Sequence, residues 1–69
     1  MNDVMIDNLI NRCKEVVKEF PQLKEEVYGI FDLCMMEIEL GESQDHEIEL
    51  AHGSIDELLN ELKLKSARG

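Results

Sequence analysis

Residues 30 to 40 set Ile30, Phe31, Leu33, Cys34, Met35, Met36, Ile38 and Leu40 around nearly the whole circumference of one helix. Only a narrow polar strip with Asp32 and Glu39, and an isolated Glu37, interrupts them. A helix that is apolar on almost every side must be covered on almost every side. A chain of 69 residues has little else to cover it with, because small domains bury a low fraction of their surface and sit near the limit of independent stability.

The rest of the chain reads as two further helices. Apolar residues recur at Ile6, Ile10, Cys13, Val17 and Phe20, with Leu9 and Val16 widening the stripe, and this predicts a first helix over about residues 3–20. Asn2 or Asp3 suits its N-cap, and Pro21 disfavours helical geometry at Phe20. Pro21 then fits the first turn of a second helix over about 22–40, with the stripe Leu23, Val27, Ile30, Cys34 and Ile38 and a glycine cap at Gly41. Ser43 caps a third helix over about 44–64, whose stripe is Ile48, Ala51, Ile55, Leu58 and Leu62, leaving residues 65–69 as a basic tail. Gly53 interrupts that helix, and Ser54-Ile-Asp-Glu57 fits a capping box for a fresh start. The stripe keeps its phase across Gly53, so one continuous helix is expected.

The fold class is therefore all-α: a single three-helix protomer, an antiparallel hairpin preceded by an N-terminal helix. One hairpin partner and one more helix leave part of the second helix uncovered, so a helical-bundle homodimer is expected through Ile30, Leu33, Met36 and Leu40. Cys13 and Cys34 lie within apolar stripes and read as reduced core thiols. With no signal-peptide pattern and no apolar run of bilayer length, the expected location is cytoplasmic, away from membranes.

Charge bounds the function. Between Glu25 and Leu62 there are twelve Asp or Glu residues and no Lys or Arg, within a chain of net charge -9. Such a surface repels nucleic acid and anionic lipid and favours basic proteins. Asp45, Glu49, Asp56, Glu57 and Glu61 are the expected anionic face, although an acidic surface kept for solubility accounts for the same charge. No nucleophile elbow, phosphate loop or zinc-binding cysteine pair is present, and no cofactor is expected. The leading expectation is a non-catalytic interaction module or small regulator that dimerises and offers this face to a basic protein, including one that ordinarily holds nucleic acid.

One alternative is chemical. Asp45, Glu49, His52 and Asp56 step by four, three and four along one file of the third helix. Glu49-x-x-His52 has the spacing of carboxylate-bridged di-metal bundles, and Glu37 lies about as far before Gly41 as Glu49 lies after it. A homodimer would then supply a metal set of Glu37, Glu49 and His52.

Overall fold

The computed structural model describes the backbone of residues 3–68 and the side chains of residues 4–65. Among the described residues there are three α-helices and one short 3-10 turn, with no strand. Helix α1 is Asp3–Glu19, the 3-10 turn is Pro21–Leu23, α2 is Lys24–Glu39 and α3 is Gln44–Arg68. The Asn2 cap expected from the sequence lies outside the described residues.

Local chemistry sets the breaks between helices. Phe20 leaves helical geometry at φ -129° and ψ 76°, as the residue before a proline tends to do. Its own N–H still closes the last turn of α1 on Val16 O at 2.8 Å, and its carbonyl accepts from Leu23 N at 2.9 Å. Pro21 therefore opens a 3-10 turn instead of the α-helix expected from residue 22, and α2 begins at Lys24. At the other end, Gly41 takes φ +104°. Its N–H donates to Ile38 O at 3.1 Å, while Glu42 N donates to Glu37 O at 3.1 Å. That pair of bonds is a Schellman cap, which satisfies carbonyls the helix leaves open and turns the chain.

Helix α3 starts on Ser43, whose carbonyl accepts from Glu47 N at 3.0 Å and whose hydroxyl lies 3.5 Å from His46 N. It passes through Gly53 unbroken and continues to Arg68. The residues expected to form a basic tail are thus helical through Arg68. No residue from Lys63 to Arg68 opposes a helix, and the bases there complement the negative end of its dipole.

The helices pack up, down, up. Residues 30–34 of α2 face 47–54 of α3, and Leu23 and Glu26 face 58–65, so these two are antiparallel. Met5 and Asn8 of α1 face 45–52 of α3, and Glu19 and Phe20 face 59–63, so α1 runs parallel to α3. Leu9, Cys13 and Val16 of α1, Val27 and Cys34 of α2, and Ile48, Ala51 and Ile55 of α3 form the buried core. In α1 the innermost line is Leu9, Cys13 and Val16, while Ile6, Ile10, Val17 and Phe20 are half-buried. The expected stripe is rotated by part of a turn, because two helices pack against α1 from different sides.

The bundle measures 44 × 18 × 16 Å with a radius of gyration of 12.8 Å, against about 11 Å for a compact domain of this length. Its accessible surface is 5185 Å², against roughly 4,450 Å² for a folded monomer of its mass. Exposed apolar side chains contribute to it, among them Leu33, Met36 and Leu40 of α2 and Leu50 and Leu64 of α3.

Candidate functional site

The file Asp45, Glu49, His52, Asp56 runs along the side of α3 that faces α1. Asp45, Glu49 and His52 line an open cleft of about 370 Å³ with Met5, Asn8 and Ile48. Arg12 of α1 closes the lower end. One guanidinium nitrogen lies 2.9 Å from His52 Nδ1 and donates to the His52 carbonyl oxygen at 3.3 Å, and the other donates to the Asp56 carboxylate. A guanidinium only donates, so Nδ1 accepts and the ring proton sits on Nε2. The parallel packing of α1 on α3 thus places the Arg12 guanidinium against the His52–Asp56 end of this file.

Glu37 is half-buried on α2, whereas Glu49 and His52 flank the cleft beside α1. Among the described residues no group of three or more His, Cys, Asp or Glu side chains is gathered to hold a metal. A single chain therefore does not bring Glu37, Glu49 and His52 together.

The acids expected to form one face divide between two. Asp45, Glu49 and Asp56 lie on the α1 side. Glu61 instead lines a shallow hollow with Leu23, Glu26, Leu58, Leu62 and Lys65, on the α2 side. At roughly 100° per residue Glu57 falls with Glu61 rather than with Asp56. All five are exposed, and among the described residues Asp56 alone of them forms an ion pair, with Arg12.

A second feature lies between α2 and α3. Ile30, Leu33, Cys34, Glu47, Leu50, Ala51 and Ser54 line a groove of about 250 Å³. Of the four residues expected at an interface, Ile30 is half-buried against the core, whereas Leu33 is 56% exposed, Met36 53% and Leu40 74%. Leu50 of α3, 52% exposed, joins Leu33 at the groove. The sequence reading passed over Leu50 because it lies off the α3 stripe; its angle from Ile48 and Ile55 marks it as an apolar residue outside the core. Gly29, Leu33, Met36 and Leu40 step by four, three and four on the side of α2 opposite Val27 and Cys34, which are buried. That spacing is a helix-packing seam left without a helix on it.

Cys34 forms part of the groove floor. Burial, then the nearby Glu47 charge and Cys13, push its thiol above the ordinary 9.0. Cys13 is raised by burial against the opposing pull of Arg12. Both thiols are free and buried, and a protonated, enclosed thiol is a poor nucleophile.

No known protein family, curated protein or solved structure matches the chain. Among the described residues no helix is long and apolar enough to cross a membrane.

Proposed function

We propose that this chain is a non-catalytic protein–protein interaction module that offers an anionic surface to a basic partner protein. The observation that supports it most is the distribution of base against acid in three dimensions. Arg12 neutralises Asp56 on one flank, while Glu25, Glu26, Asp32, Glu39, Glu49 and Glu57 stand exposed. Long-range attraction of this kind speeds encounter with a basic protein and sets its dependence on salt. A partner whose natural ligand is nucleic acid is the narrower form of the same reading.

Capture from a native cell extract at about 50 mM salt, followed by elution at rising salt, tests it. The expected result is a set of basic proteins released by about 0.5 M salt, with duplex DNA competing if the narrower form holds. Retention of neutral or acidic proteins that ignore salt overturns the reading.

Self-association is the second reading. Leu33, Met36 and Leu40 stand 56%, 53% and 74% exposed, and the seam they form on α2 has the spacing a second helix reads. The homodimer would bury Leu33, Met36 and Leu40. Sedimentation of the isolated chain decides it: a monomer at every salt concentration ends this reading, and a dimer that tightens with added salt supports it, since two anionic chains repel.

A further inference from the structure

We propose that the α2–α3 groove and the outward seam of α2 form the docking site for an amphipathic helix of the partner, apolar along one seam and rich in Lys and Arg on both sides of it. This rests on the reading above that the partner is basic.

The floor selects a helix. Leu33 and Leu50 flank an apolar bed of Ile30, Cys34 and Ala51, and the seam continues through Met36 to Leu40. From Gly29 to Leu40 it runs about 16 Å, or three turns. A Cβ built on Gly29 meets nothing within 4 Å, so a second backbone can approach closely there. A helix laid in this groove would complete a four-helix bundle, and anchors at steps of three and four on its surface would meet Leu33, Met36 and Leu40.

The banks select its charge. On one side of the seam stand Glu25, Asp32 and Glu39, spaced seven apart and all exposed. On the other stand Glu26 and Glu37, with Glu47 lining the groove itself. Lys65 shares a hollow with Glu26 and Glu61 only at the far end, so the stretch from Leu33 to Leu40 has acid on both sides. A second copy would bring these same acids against one another at the flanking positions where stable helix pairs place opposite charges. A helix with Lys or Arg at those positions meets an acid on either bank.

The test uses the full chain and a synthetic helix of about 18 residues, with leucines at seam spacing and lysines on both flanks. A scrambled peptide of identical composition and a glutamate-for-lysine version serve as comparisons, with affinity read by fluorescence anisotropy at about 50 and 500 mM salt. The seam peptide should bind roughly tenfold more tightly than the scrambled one. Leu33→Asn/Met36→Asn should weaken it by about tenfold, and Val4→Asn/Leu64→Asn, exposed residues outside the groove, by less than about twofold. Equal binding of the scrambled peptide, or equal loss in both variant pairs, overturns the docking site while leaving the anionic-surface reading standing. No binding of either lysine peptide at low salt overturns both. A chain that sediments as a dimer until Leu33→Asn/Met36→Asn separates it assigns the seam to a second copy and overturns this proposal.

Discussion

At the scale of single residues, the core and the Arg12 contacts differ in what they contribute. Ile55 is fully buried among Leu9, Val27 and Ile48. Ile55→Val should lower stability by about 1 kcal/mol and Ile55→Ala by roughly 2–5 kcal/mol, measured by urea denaturation. Arg12→Ala removes a guanidinium that bonds His52 and Asp56 in a partly exposed setting. Its loss should cost less than about 1 kcal/mol, because solvent and side-chain entropy offset most of the attraction. Cys13 and Cys34 add a pH dependence. Their thiols are raised above 9.0 in the folded chain, so they keep protons that the unfolded chain has released. Their contribution is whole below about pH 8.5 and is lost as pH climbs through the raised values. The urea midpoint should therefore fall between pH 7 and pH 10 more steeply in the native sequence than in Cys13→Ala/Cys34→Ala; parallel declines would refute this.

At the scale of helices, the same substitution should act with opposite sign at two glycines. Gly41→Ala forces a Cβ into φ +104° and strains the cap that ends α2, at a cost of roughly 1–2 kcal/mol. Gly53→Ala sits inside α3 with open space where its methyl would go, and should raise stability by about 1 kcal/mol. Thermal melts of the two variants check both signs. Pro21, Gly41 and Ser43 act on their immediate neighbours, which is why the joints between helices were legible in the sequence. The end of α3 was not, since nothing local from Lys63 to Arg68 stops a helix. The Arg12 contacts were illegible for a different reason: they depend on how α1 is set against α3, across 40 and more positions of chain. The anionic face was read from the number of acids, and only their angles about the axis separate Glu57 and Glu61 from Asp45, Glu49 and Asp56.

At the scale of the molecule, a net charge of -9 on a body 18 × 16 Å in cross-section means that most acids lie within reach of one another. The screening length is about 30 Å at 0.01 M salt and about 3 Å at 1 M. Stability should consequently rise as sodium chloride is raised from about 10 mM to about 0.5 M, seen as a higher melting temperature. A melting temperature that falls over this range would show that attractive pairs such as Arg12–Asp56 outweigh the repulsion. The charge pattern has one more consequence, for a protease. Trypsin cuts after Lys or Arg, and between Lys24 and Lys63 there is neither. Digestion of the folded chain should accordingly cut at the exposed Lys63 and Lys65, leaving the span from Glu25 to Leu62 uncut within a single fragment.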